Sequence, residues 1–211
     1  MHKTRCLAMV VMGLFILSTN SFAEKGFTIE GGLIYDQPGS GVHNRPYPAM
    51  KGGFGYTANF GYNFIDQAGL VLGVMHTTHD YELGVHANAA IEDNADKTTF
   101  FVKARVSPLK RGSFEIVTSA GIGFFDISGK QLIQEQDTDN DFSGLGFTGN
   151  FDFRYYITNG LAVSIYLGAN FVDYSRYEIF GYKTDYGKKM PGGNSINWGL
   201  TLFHHIGIPQ L

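Results

Sequence analysis

The chain contains little cysteine and little charge, and it lacks a second long apolar run. Its one cysteine, Cys6, lies before the apolar run at 7–17, so no disulfide can form in the rest of the chain. After that run no stretch approaches the roughly 20 apolar residues that a membrane-spanning helix needs. Charged residues make up 17 % of the chain, against about 25 % in an average globular protein. These deficits exclude a disulfide scaffold and a helical membrane protein, and they disfavour an ordinary soluble domain.

The start of the chain has the layout of a secretory signal peptide. A basic segment at 2–5 precedes the apolar run, which is too short to span a membrane, and small residues follow within 21–23. This order of basic, apolar and small residues is the one that a signal peptidase recognises. We therefore predict a cleaved signal peptide at 1–23 and one domain at 24–211.

The predicted mature chain is mildly acidic. Loss of Lys3 and Arg5 lowers the basic count from 16 to 14, against 19 acidic residues, which gives a net charge of 14 − 19 = −5. A protein that binds nucleic acid needs a basic surface. No nucleic-acid partner is expected.

Glycine and aromatic residues are abundant instead, and they alternate with a period of two. The segment 54–64, FGYTANFGYNF, places aromatic residues and Ala58 on one face and Gly, Thr and Asn on the other. Successive side chains of a strand point to opposite faces, so this pattern predicts a β-strand. Eight segments follow the pattern: 26–35, 54–64, 69–76, 96–106, 113–126, 144–157, 161–173 and 195–206.

The connections between these segments alternate in length. Long polar connections are predicted at 36–50, 77–95, 127–143 and 174–194, and short ones at 65–68, 107–112 and 158–160. Short periplasmic turns and long external loops are typical of outer-membrane barrels. The predicted fold is all-β, an eight-stranded antiparallel up-and-down transmembrane β-barrel in the bacterial outer membrane.

The face that is not apolar indicates which side meets lipid. A soluble barrel of the lipocalin kind would carry dense charge on its outside. Here that face consists mainly of Gly, Ser, Thr and Asn, which suit the crowded interior of a narrow barrel. The apolar face is therefore expected to contact lipid.

The few charges on the inward face are predicted to form an interior ion-pair network. Its members are Glu30, Lys103, Arg105, Glu115, Asp152 and Arg154. If the turn at 107–112 sets the register, Arg105 lies opposite Glu115, and Arg154 on the next strand lies close to Glu115 as well. Buried charges must be paired. Two interpretations stay open: a network that fills the barrel, and a gate that closes a narrow pore.

In this topology the chain resembles the small outer-membrane barrel families typified by OmpA, OmpX and OmpW. The segment 197–204, NWGLTLFH, resembles the terminal β-signal that the barrel-assembly machinery reads. The resemblance implies that this machinery is a partner, along with outer-membrane lipid and lipopolysaccharide. A monomer is expected, because no hydrophobic effect drives the association of lipid-facing surfaces.

Enzymatic and metal-binding motifs are weak. His76, Thr78, His79 and Asp80 form the nearest catalytic constellation, without a serine in a recognisable motif. The run at 137–141 begins like a calcium loop but lacks its Gly and Glu, and a site formed by His76, His79 and His86 has no fixed spacing. We predict no catalytic residues, no metal and no cofactor, and we do not expect an enzyme. The only basic loop, with Arg176, Lys183, Lys188 and Lys189 among tyrosines, could contact lipid phosphates.

Three functions remain. The leading hypothesis is a porin-like, narrow and gated channel for small solutes. The alternative is a closed structural or adhesive barrel that displays its surface loops, and the least favoured is a lipid-modifying enzyme. Glycines on the inward face, such as Gly121 and Gly168, favour free volume and a channel. The narrow lumen of eight strands favours a closed barrel.

Overall fold

A computed structural model describes residues 25–39, 50–65, 67–80, 94–133, 136–158, 160–179, 182–184 and 193–207. The predicted signal peptide lies outside these residues. The strands are β1 (Gly26–Pro38), β2 (Gly53–Ile65), β3 (Ala68–Asp80), β4 (Asn94–Arg111), β5 (Phe114–Ile133), β6 (Gln136–Tyr156), β7 (Leu161–Ile179), β8 (Tyr182–Thr184) and β9 (Ser195–Gly207). No helix in this part of the chain is long and apolar enough to cross a membrane.

Eight of these strands close into a barrel. Each strand from β1 to β7 pairs antiparallel with its neighbour in the chain, and β9 pairs with both β7 and β1. Among the described strands, the short β8 pairs with β7 alone and forms a hairpin with its outer end. The predicted fold class is confirmed.

Side chains alternate across the barrel wall as the sequence pattern predicts. On β2, Phe54 and Tyr56 are 75 % and 52 % exposed, whereas Thr57 is 4 % exposed. Exposed Leu, Ile, Phe and Tyr side chains surround the whole wall, and buried Thr, Ser, Asn and charged side chains point inward. An apolar exterior with a polar interior is the arrangement of a barrel in lipid.

Several strands continue into segments that we expected to be loops. The predicted loop at 127–143 is wrong for most of its length, because β5 runs to Ile133 and β6 starts at Gln136. The predicted connections at 36–50, 77–95 and 174–194 also begin or end as strand. Polar composition misled the prediction, since a hairpin that rises above the membrane faces water on both sides and needs no apolar face.

The register between β4 and β5 also differs from the prediction. Arg105 pairs with Ser119, and Glu115 pairs with Lys110, so Arg105 and Glu115 are not opposite each other. The main reason is that pairing continues to Arg111 and Phe114, through the predicted turn at 107–112. A register shift between Val106 and Leu109 adds one further residue to β4, as a bulge does. The turn itself contains Gly112, whose φ of 58° is readily adopted by glycine alone.

Candidate functional site in the barrel interior

The interior of the barrel contains a buried charge network centred on Glu30 of β1. One carboxylate oxygen of Glu30 accepts hydrogen bonds from Arg105 at 3.0 Å and from Arg154 at 3.1 Å. Its other oxygen accepts a bond from the hydroxyl of Thr201 at 2.9 Å. All four side chains are buried. The carboxylate therefore joins strands on opposite sides of the lumen.

Arg154 is the second hub of this network. Its guanidinium lies 3.5 Å from Asp152 and 3.6 Å from Glu115, in addition to Glu30. Glu115 also accepts hydrogen bonds from the hydroxyls of Ser107 at 2.7 Å and Tyr156 at 2.6 Å. Three carboxylates thus surround one guanidinium, which is the pairing that buried charges require.

Lys103 joins the network through an amide. Its ammonium donates a hydrogen bond to Asn150 Oδ1 at 3.0 Å, and the Asn150 amide donates to Asp152. The ammonium also lies 3.9 Å from the centre of the Phe101 ring, a distance typical of a cation–π contact. Lys103 therefore contacts the charge network through Asn150 and an apolar side chain through the ring of Phe101.

The structure brings together the six residues that the sequence singled out. Arg154 lies beside Glu115, as the register argument expected, but Arg105 contacts Glu30 instead of Glu115. The central position of Glu30 was not predicted. Contacts across a lumen depend on how the barrel closes, and the local register gives no information about closure.

An apolar layer lies on the outer side of this network. It consists of Ile34, Val71, Met75, Phe101 and Tyr166, all buried. The ring of Phe101 occupies the space where Gly73 would carry a Cβ, and Asn197 and Tyr166 occupy the corresponding space at Gly168. Glycine in this wall therefore makes room for side chains from other positions and leaves no free volume there.

A second polar cluster lies above the apolar layer. Lys97 donates hydrogen bonds to Asp36 and to the hydroxyl of Ser195, each at 2.8 Å. His79 Nε2 lies 3.5 Å from the same Asp36 oxygen. The Nδ1 atom is 2.9 Å from the backbone carbonyl of Lys51. A carbonyl only accepts, so Nδ1 carries the proton of this imidazole.

Sequence reasoning missed this cluster because it placed Asp36 and His79 in loops. The signal was present, since Asp36 continues the inward alternation of Glu30 and Ile34 along β1. The period of two predicts an inward side chain there as soon as the strand is extended.

A final apolar cluster lies toward the outer mouth of the barrel. Its buried members are Met50, Ala95, Phe125, Ile127, Val172 and Tyr174, and Phe142 packs against them. Met50 and Lys51 lie just before β2, and Lys51 is bonded through its carbonyl to His79 and through its N–H to Asp80. The chain entering β2 is thereby held against the end of β3.

The outer wall holds the remaining candidates from the sequence. His76 points outward and His79 inward, so the two do not share a site; His86 lies outside the described residues. His76 Nδ1 is 3.0 Å from the hydroxyl of Thr98 on β4, and Thr78 donates a hydrogen bond to Asp96 at 2.7 Å. Among the described residues, no group of three metal-ligating side chains comes together.

Two other candidates fall largely outside the described structure. The backbone of 137–141 forms part of β6, but of these side chains only that of Asp141 is described. Arg176 is exposed, whereas Lys188 and Lys189 and the side chain of Lys183 lie outside the described part. The contact of this loop with lipid phosphates stays a prediction.

Comparison with known proteins supports the fold and gives no closer relationship. No family model and no curated protein matches the chain. Neisserial surface protein A, NspA, is similar over 88 % of this chain and 100 % of its own, with a TM-score of 0.56 and 8 % identity. A major outer membrane protein from Thermus thermophilus is similar over 86 % of this chain and 99 % of its own, with a TM-score of 0.64 and 15 % identity.

A third solved structure is Ail, the attachment invasion locus protein of Yersinia pestis. It is similar over 88 % of this chain and 100 % of its own, with a TM-score of 0.54 and 10 % identity. At such identities the likeness shows the fold alone. The chain has the fold of small outer-membrane β-barrels, and its exposed apolar wall supports the same location.

Proposed function

We propose that this protein is a closed outer-membrane barrel that presents a small β-sheet and loops above the outer leaflet for contacts with surface partners. The observation that carries the proposal is the filled interior. A charge network, an apolar layer, a polar cluster and a second apolar cluster follow one another along the lumen. Interdigitated side chains at interior packing density leave few voids larger than a water molecule.

The outer part of the barrel supports a role in surface contact. Pairing of β4 with β5 stops at Gly129, yet β5 and β6 stay paired as far as Ile133 and Gln136. On the other side, β7 continues to Ile179 and pairs with β8. The strands β5 to β8 thus rise as a small sheet above one side of the barrel.

The edges of this small sheet could receive a partner. Beyond Gly129, β5 pairs with β6 alone among the described strands, and β8 pairs with β7 alone. A strand edge offers N–H and C=O groups to an extended segment of another chain. Two structural neighbours are named as a surface protein and an attachment protein, which agrees with this role without demonstrating it here.

A narrow gated channel is the second candidate, and one observation favours it. Arg154 is within 3.6 Å of three different carboxylates, Glu30, Asp152 and Glu115. Exchange among them would move a guanidinium within the lumen with little change in pairing. Such a movement is what an ionic gate requires.

Single-channel recording in a planar bilayer separates the two candidates. The protein is first shown to be folded by its heat-dependent mobility on a gel, and the wild type is compared with Glu115→Ala and with the outward control Thr118→Ala. A closed barrel predicts silence in all three. Discrete openings in the wild type would overturn the closed-barrel proposal, and openings confined to Glu115→Ala would make the network a gate.

Attachment of cells tests the role of the small sheet. Residues 130–139 are replaced by the turn Asn-Gly, which keeps the barrel part of β5 and β6 intact. Cells that display the shortened protein should attach to host-cell monolayers less than cells displaying the wild type. Equal attachment, at equal surface amounts of folded protein, would contradict the role of the sheet.

A further inference from the structure

A separate group of polar side chains on β3 and β4 faces the lipid instead of the lumen. His76 pairs with Thr98, and Thr78 pairs with Asp96, in adjacent cross-strand positions. Because side chains alternate across a strand, the neighbours Thr77 and Lys97 point inward while these four point outward. We define them as the wall cluster.

The wall cluster lies at the outer end of the apolar wall. On the membrane side of it is the ring of Phe100, 57 % exposed, and the ring of Tyr56, 52 % exposed, lies level with His76 on the neighbouring strand. Aromatic side chains of membrane barrels concentrate at the level of the lipid headgroups. The wall cluster therefore lies close to the depth at which the acyl esters of outer-leaflet lipids join the headgroup.

The side chains of the wall cluster form a connected chain. The hydroxyl of Thr98 is 3.0 Å from His76 Nδ1, within hydrogen-bond distance. His76 Nε2 is 3.8 Å from Asp96 Oδ1, and that oxygen accepts a hydrogen bond from Thr78 at 2.7 Å. The ring of Tyr56 lies 5.3 Å from the imidazole. A hydroxyl, an imidazole and a carboxylate follow one another here in the order of a hydrolase triad, with the imidazole and the carboxylate at ion-pair distance and not hydrogen-bonded.

We propose that the wall cluster hydrolyses acyl esters of outer-leaflet lipids, with Thr98 as nucleophile and His76 as general base. The Thr98 oxygen forms a bond to the ester carbonyl carbon while its proton passes to His76 Nδ1. The tetrahedral intermediate then breaks its bond to the alcohol oxygen, which takes that proton and leaves.

Water completes the cycle. His76 takes a proton from a water molecule, whose oxygen bonds to the carbonyl carbon of the acyl-Thr98 ester. Collapse of this second intermediate breaks the bond to Thr98, returns the proton to its oxygen and releases a fatty acid. Asp96 is a positioning residue in this scheme, since it faces Nε2 and leaves Nδ1 directed at Thr98.

Release of fatty acid from vesicles tests the proposal on the full, folded barrel. Two substrates distinguish the lipid source, a vesicle of phosphatidylglycerol and phosphatidylethanolamine and a vesicle that also contains lipid A. The wild type should release fatty acid from at least one of them, and Thr98→Ala and His76→Ala should each lower the rate at least about 100-fold. Thr98→Ser should retain activity, because serine keeps the nucleophile. Thr118→Ala, an outward threonine elsewhere on the wall, should equal the wild type.

The role of Asp96 requires a separate readout. Asp96→Asn should lower kcat and leave KM unchanged, and Asp96→Glu should recover part of the loss. No release by the wild type from either vesicle would overturn the proposal. Activity of Thr98→Ala equal to the wild type, in protein whose heat-dependent mobility shows it to be folded, would overturn it too.

Discussion

Replacement of Glu30 by glutamine should strongly destabilise the barrel, because it removes the one carboxylate that pairs with Arg105. The side chain keeps its shape and loses its charge. Among the described residues, Arg105 has no other carboxylate within ion-pair distance, although the Thr28 hydroxyl is 3.1 Å away. Arg154 keeps two carboxylates, on Asp152 and Glu115. The uncompensated charge therefore falls on Arg105.

The expected loss is about 3–5 kcal/mol in the free energy of unfolding, the range for removing one partner of a buried ion pair. The same reasoning predicts which second substitution restores stability. Arg105→Met in the Glu30→Gln background removes the uncompensated charge and should recover most of the loss. Arg154→Met in that background should lower stability further, because it leaves Asp152 and Glu115 unpaired.

Equilibrium unfolding in urea with lipid vesicles measures these free energies. Trp198, the single tryptophan, is on the lipid face, so its fluorescence reports withdrawal from the bilayer. A loss under about 1 kcal/mol for Glu30→Gln would show that this buried ion pair contributes no more to the free energy of unfolding than an exposed pair does. If Arg105→Met and Arg154→Met had equal effects on the stability of the Glu30→Gln variant, the reasoning that Arg105 depends on Glu30 alone for its ion pair would be refuted.

Three further perturbations address the other layers and the lipid face. Phe151→Arg, in the middle of the outward apolar run of β6, should cost about 2–4 kcal/mol, whereas Ile157→Arg at the periplasmic end should cost about 0–1 kcal/mol; equal losses in urea unfolding would contradict the membrane depth inferred for this strand. Gly73→Val should collide with Phe101 and lower the free energy of unfolding by about 1–3 kcal/mol. Gly149→Val, whose Cβ would have only ordinary contacts, should change it by no more than about 0.5 kcal/mol. Equal urea midpoints of the two variants would show that Phe101 does not fill the space at Gly73. Lys97→Met should lower the free energy of unfolding by about 3–5 kcal/mol, because it leaves Asp36 without its lysine. Adding Asp36→Asn should recover part of this loss, and a double variant as unstable as Lys97→Met alone would contradict the importance of the pair.

The sequence predicts the barrel well because lipid imposes a pattern that is readable one residue at a time. Lipid contact requires an apolar side chain at every second position, and a strand presents those positions without any tertiary information. The predicted proximity of Arg154 and Glu115 agrees with the structure for a related reason. They are directly opposite each other on adjacent strands, so a local register is enough to place them together.

The sequence fails where position depends on how the barrel closes or on where the turn between β4 and β5 lies. Glu30 reaches Arg105 and Arg154 across the lumen, and the register of neighbouring strands does not predict contacts between strands that are not paired. Arg105 lies away from Glu115 because β4 and β5 stay paired as far as Arg111 and Phe114, which places the turn at the end of the segment expected to form it. Half of the wall cluster was identified from the sequence. His76 and Thr78 were among the candidates, whereas Thr98 and Asp96 could be placed beside them only once the pairing of β3 with β4 was known.

The glycines show why composition alone does not decide whether the lumen is open. A small inward residue leaves space only if no other side chain enters it. Phe101, Tyr166 and Phe125 point inward from three different strands, and glycines on the same strand or on the neighbouring strand accommodate them. Narrow barrels have little volume to share, so a large aromatic side chain at one inward position requires a small residue at another. Gly73 beneath Phe101 is therefore evidence for close packing, and the same residue type that favoured a channel in the sequence favours a closed barrel in the structure.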